Sequence, residues 1–201
     1  METRLSHSDA IASLAFLDRK EAQVTDEVHR RAVRGMRERI VGEMTGDLAL
    51  ALGACDPGFT VTMHLPDGAA VRLEAREEVE GLFESLTSSV TPIVLWMTFD
   101  HIVIDGRTFA TDGVTTILYT GAGARLAGLD ADVDGGVYAV TQRVSTIVEF
   151  GDDGLHRHEV VYMSPDARRI ERLTAPDQPS PLEIRAAVRR ALGNQTVTIP
   201  S

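Results

Sequence analysis

Two periods of hydrophobicity divide the chain. Residues 8–19 carry Ile11, Leu14, Ala15 and Leu17 on one helical face, with Ser8 or Asp9 placed to cap. A longer helix is predicted over 26–43, where Val28, Val33, Met36, Ile40 and Val41 recur near helical spacing. Thr45 is then expected to cap a short helix over 46–55, ended by Asp56-Pro57-Gly58. Beyond that point the period drops to two. Phe59, Val61, Met63 and Leu65 alternate with Thr60, Thr62 and His64, which predicts a half-buried strand. Pro66-Asp67-Gly68 reads as a turn and 70–73 as a short returning strand. Residues 77–87 return to helical spacing through Val79, Leu82, Phe83 and Leu86. Long strands follow at 93–104 and 107–119, joined by Asp105-Gly106. After a Gly-rich acidic loop over 120–136 come strands at 137–150 and 155–163. Four prolines (Pro165, Pro176, Pro179, Pro181) take the tail off the sheet, and a last helix is expected over 182–192.

Helices first, a hairpin, a helix and then four long antiparallel strands make an α+β plan. It predicts a conical, curved antiparallel sheet wrapped on the N-terminal helices. Residues 1–24 form a helical extension, 25–165 the α+β barrel domain, and 166–201 a tail with a helix. The hollow between sheet and helices is the natural ligand cavity.

Parity along 137–150 decides what faces that hollow. Tyr138, Val140, Gln142, Val144, Thr146, Val148 and Phe150 share the apolar face. A symmetric turn at Gly151–Gly154 sets Thr146 opposite Glu159 and Gln142 opposite Met163, since directly opposed residues share a face. Gln142, Thr146 and Glu159 then form a polar patch in an apolar wall. A one-residue slip would present His156, His158 and Tyr162 instead. A carboxyl in such a wall loses hydration, and its pKa rises toward the range useful to a general acid or base. The competing reading pairs Glu159 with Arg157 or with an arginine of the 26–43 helix. That helix carries Arg30, Arg31, Arg34, Arg37 and Arg39, either as a solvated face or with one turned inward.

The 201 residues hold 20 Lys and Arg against 30 Asp and Glu, a formal charge of −10. This argues against a general nucleic-acid binder. No apolar run approaches the roughly 18 residues of a membrane span, and the N-terminus lacks the pattern of a signal peptide. Cys55 is the only cysteine, so no internal disulfide forms, which fits a cytoplasmic setting. It is read as a small buried hydrophobe.

Asp130, Asp132 and Asp134 before Gly135 match the start of a calcium loop, but Thr141 stands where the closing glutamate belongs. His156 and His158 alternate onto one strand face without a clear third ligand. Neither makes a metal site, and no cofactor is expected.

The order helix, Thr45-Gly46-Asp47-Leu48, helix, then Phe59-Thr60-Val61-Thr62-Met63, and a late strand closing on Gly154 to Tyr162, resembles the nuclear-transport-factor-2-like superfamily. The likeness is to its SnoaL-like and ketosteroid-isomerase-like branch, over roughly residues 25 to 165. It implies a deep pocket, often in a homodimer paired through the outer sheet face. The isomerases' tyrosine falls at Arg39, their basic aspartate at Met63 and their oxyanion aspartate at Thr146, so none of those groups is kept. A different acid–base set is required, drawn from Glu159, Arg39, His64, Asp100 and His101. Glu159, Asp100 and Arg39 are taken as the catalytic candidates. Met63, His64, Trp96, Gln142 and Thr146 are the substrate-binding ones, with Trp96 either a ligand platform or core. The expected activity is that of a cyclase, isomerase, dehydratase or epoxide hydrolase on an apolar molecule with a polar handle. The alternative is a non-catalytic ligand-binding or assembly domain.

Overall fold

The structure is a computed structural model that describes residues 4–133, 136–164, 166 and 168–193. Helix α1 (His7–Gln23) starts one residue before the expected 8–19 and runs a turn beyond it. Ser6 caps it, and a reciprocal bond from the Ser6 amide to Asp9 completes a capping box. Helix α2 (Glu27–Thr45) is capped by Asp26 and ends at Gly46, whose φ of 70° is the left-handed turn that glycine takes at least cost. Thr45 is therefore the end of α2 rather than a cap. Asp47 caps α3 (Leu48–Gly53) by accepting from the Leu50 amide at 3.0 Å. A Cβ on Gly42 would lie 2.4 Å from the Ala51 nitrogen, so only glycine lets α3 fold back this closely on α2. Arg34 and Arg37 of α2 bridge outward to Glu21 and Asp18 of α1. Arg39 alone of the five arginines points into the buried interior.

Strand β1 (Cys55–His64) begins earlier than expected and passes through Pro57 at an irregularity between Cys55 and Thr60. It is followed by β2 (Ala70–Leu73), α4 (Arg76–Thr87), β3 (Ile93–Asp105) and β4 (Thr108–Thr120). A short helix α5 (Gly121–Leu126) opens the segment expected to be loop. Then come β5 (Val137–Phe150), β6 (His156–Met163), β7 (Arg169–Leu173) and α6 (Pro181–Gly193). The sheet order is β2-β1-β6-β5-β4-β3. The β1–β6 pair is parallel, so the sheet is mixed rather than wholly antiparallel. The long path from β1 to β6 permits this, where a tight hairpin would not. The tail does not leave the sheet at once, because β7 pairs with Val137–Thr141, the half of β5 that β6 leaves open.

The β5–β6 register sets Val148, not Thr146, opposite Glu159. The displacement is two residues, and side chains alternate with a period of two, so Glu159 keeps its inward face. A bulge beside Glu149 and Phe150 then reverses parity toward the turn. His156 points inward and is fully buried, while His158 lies outward and bonds the Thr60 hydroxyl at 2.7 Å. The two imidazoles do not share a face. A second irregularity in β3, between Phe99 and His101, does the same there. Ile102 joins the buried side with Met97 and Phe99, the half-buried Ile104 packs against the same core, and His101 and Val103 turn out.

The main core joins α1, α2 and α6 to the sheet through Leu14, Leu17, Met36, Phe99, Ile184 and Val188. Arg185 of α6 is buried, and no carboxylate among the described residues pairs with it. Its Nε donates to the Ile93 carbonyl (2.7 Å), Nη1 to Thr87 and Ser88 (2.8 Å each), and Nη2 to Leu86 (2.7 Å). These are the orphan carbonyls at the C-terminal end of α4 and the first carbonyl of β3. Among the described residues no helix is long and apolar enough to cross a membrane. No group of three His, Cys, Asp or Glu side chains there is placed to hold a metal ion. Asp134 of the calcium-like pattern lies outside the described residues.

Candidate active site

Helix α2, helix α4 and the concave face of the sheet enclose a cavity of about 550 Å³. Its wall is mostly apolar, including Val61, Met63, Val144, Val161 and Met163. Tyr138 packs with Ala124 and Leu129 of the segment after β4 in a small cluster that includes the cavity-lining Val140, and its hydroxyl accepts from the Asp132 amide at 2.9 Å.

Helical spacing explains the polar groups of the α2 wall. Met36, Arg39, Ile40 and Glu43 fall at i, i+3, i+4 and i+7, and all four line the cavity. Arg39 meets Glu159 of β6 in a two-pronged pair, Nη1 to Oε2 at 3.0 Å and Nη2 to Oε1 at 2.5 Å. The Arg39 Nε–H is buried with no acceptor among the described residues, and Glu43 Oε1 stands 3.8 Å from it. Glu43 makes no hydrogen bond among the described residues, although only 7 % of its surface is exposed. Burial opposes the charge of Arg39, but the Glu159 and Glu43 carboxylates outweigh it and hold the guanidinium protonated. Burial pushes the Glu43 carboxyl up to about 7; the positive charge of Arg39 works against that rise and the negative charge of Glu159 with it.

Two further titratable groups lie near this charge pair. The His156 Nε2–H donates to the Ala32 carbonyl at 3.0 Å, which fixes the tautomer and leaves Nδ1 without a partner among the described residues. Burial, then the nearby Arg39 charge, lower its pKa to about 3, so the ring is neutral. Burial pushes the Cys55 thiol up to about 11, which makes it a poor nucleophile.

Of the residues singled out from sequence, Glu159, Arg39, Met63, Gln142 and Thr146 line this one cavity. Gln142 also donates to the Ser164 carbonyl. Asp100 does not reach it. It lies at the β3 irregularity, is exposed, and pairs with Arg143 at 3.1 Å. His64 points to the opposite face of β1 from Met63 and stacks on Tyr162 at 4.6 Å. Trp96 lies between the cavity-lining Leu95 and Met97 and so faces the other side of β3, buried in the main core. Glu43 is the group sequence reasoning passed over. Its signal was its place four residues after Arg39, on the face that Met36 and Ile40 already mark as inward.

No protein-family model and no curated protein sequence matches the chain. Known structures do. A protein bearing the name SnoaL-like polyketide cyclase, from Shewanella denitrificans OS-217, superimposes with a TM-score of 0.53 at 9 % identity. The match covers 68 % of this chain and 92 % of that one. Another of that name, from Jannaschia sp. CCS1, gives 0.50 at 16 % identity over 70 % and 90 % of the two chains. Identities this low speak to the fold alone. Taken with the helix-lined concave sheet described above, they show that this chain shares the fold of these SnoaL-like proteins.

Proposed function

We propose that this protein is an acid–base enzyme acting on an apolar small molecule with one oxygen-bearing handle, and that Glu43 carries the proton. The observation behind this reading is a buried carboxyl, poised near pH 7, on a cavity wall with no hydrogen-bond partner among the described residues. A group titrating near neutrality holds a proton to give and a base to receive one at the same pH. The Arg39 Nε–H stands beside it with no acceptor. A carbonyl, hydroxyl or epoxide oxygen seated against Glu43 would accept a hydrogen bond from its protonated carboxyl, with the Arg39 charge close behind it. Negative charge developing on that oxygen would meet a fixed cation in a site poor in water. Glu159 then serves as a positioning residue that holds the guanidinium charged and aimed, rather than as the acid–base residue expected from the strand pattern. Cyclisation, isomerisation, dehydration and epoxide opening all need this proton movement at an oxygen.

The test is Glu43→Gln, which keeps shape and removes the exchangeable proton. Ligands found by thermal shift among aromatic polyketides, terpenoid epoxides and steroids should still bind, while turnover falls by on the order of 10²–10⁴. A variant that turns over a confirmed substrate as fast as wild type contradicts the reading. The second reading, a non-catalytic binding domain, draws on the Arg39–Glu159 pair, whose η nitrogens are occupied before any ligand arrives. Binding by wild type without turnover of any bound compound would favour it.

A further inference from the structure

We propose that the same cavity contains a second polar subsite, formed by Arg168 and Tyr119, that selects elongated apolar molecules bearing a carboxylate at the end away from the Arg39–Glu159 pair. The inference rests on the reading of this cavity as a small-molecule site.

Arg168 and Tyr119 both line the cavity, in a wall that is otherwise mostly apolar. Arg168 is exposed and has no ion pair or hydrogen bond among the described residues. Its charge is close enough to act on the Tyr119 phenol. That phenol makes no hydrogen bond among the described residues, and burial raises its pKa, so it stays protonated as a donor. Asp67, on the turn after β1, also lines the cavity. It is committed to the Ala69 amide at 2.9 Å and makes no ion pair with Arg168. An unpaired guanidinium whose charge reaches a free phenol on the same cavity wall is a donor set without an acceptor. A planar carboxylate matches the guanidinium fork.

Topology separates this pair from the Arg39–Glu159 pair. Arg169 opens β7 opposite Thr141 of β5, which brings Arg168 beside the Gln142 row. Glu159 lies opposite Val148. Six residues of strand divide the two rows, about 20 Å of path. Val144 and Met163 line the stretch between. A molecule that satisfies both ends is long, apolar in the middle, and anionic at one end.

The probes are dodecanoate and methyl dodecanoate, titrated calorimetrically into wild type, Arg168→Gln and Tyr119→Phe. Wild type should bind the acid about tenfold tighter than the ester, the worth of one charge-assisted hydrogen bond. Arg168→Gln should erase that preference and leave the ester within about twofold of wild type. Tyr119→Phe should reduce the preference in part. Equal binding of acid and ester by wild type, or a preference that survives Arg168→Gln, overturns the subsite while leaving the cavity reading intact. Failure of both probes to bind overturns the subsite and counts against the cavity reading as well.

Discussion

Glu43 and Glu159 sit on the same arginine, yet their removal should move stability in opposite directions. Glu159→Gln leaves Arg39 without its bidentate partner inside the protein and should cost on the order of 3–5 kcal/mol. For Glu43 the folded-state pKa of about 7 lies above the ordinary 4.5, so the native state binds the proton more tightly. Its favourable contribution is full below about pH 4.5 and is lost as pH rises through 7. Glu43→Gln should therefore match wild type near pH 4 and exceed it at pH 8 by on the order of 3 kcal/mol, read from urea unfolding at the two pH values. Equal stabilities at pH 8 would mean that the carboxyl ionises without cost. Strand alternation made Glu159 legible, because parity survives a two-residue error in pairing. The outward turn of His101 was not legible, since one extra residue in β3 reverses every orientation beyond Phe99 and leaves no mark in the hydrophobic pattern. His156 was hidden by a bulge of the same kind in β6.

At the level of elements, local pattern recovered what local chemistry determines. The helices and long strands lie close to where their periodicity predicts. What escaped is tertiary in origin. The parallel β1–β6 pairing joins segments about 100 residues apart, and β7 (RIERL) has only two apolar residues and is a strand because the open edge of β5 receives it. Helix α6 was visible as an amphipathic segment, but its latch was not: Arg185 reaches back nearly 100 residues to carbonyls that α4 cannot satisfy itself. Because Leu82, Phe83 and Leu86 of α4 line the cavity, this arginine also sets one wall of the site. Arg185→Met should lower stability by on the order of 3–5 kcal/mol through unsatisfied buried carbonyls. Hydrogen exchange should rise first in α4. A variant with unchanged exchange in α4 would show that the latch is redundant.

For the molecule as a whole, the outer face of the sheet and the cavity make separate predictions. That face exposes Val103, Ile147 and Tyr162 beside the Arg143, Asp100 and Asp112 charges, a mixed surface suited to a second copy of the chain. Light scattering should report about twice the 21.8 kDa of one chain, with an interface of roughly 1,000 Å² or more in total. A single-chain mass at micromolar concentration would contradict it. The cavity prediction is the central one, and it depends on the proton affinity of a single carboxyl. The direct measurement is a pH titration of the glutamate side-chain carbons by ¹³C NMR, with Glu43→Gln used to assign the Glu43 resonance. The Glu43 carboxyl should titrate near 7, above ordinary glutamates. A Glu43 resonance titrating between pH 4 and 5 would contradict it.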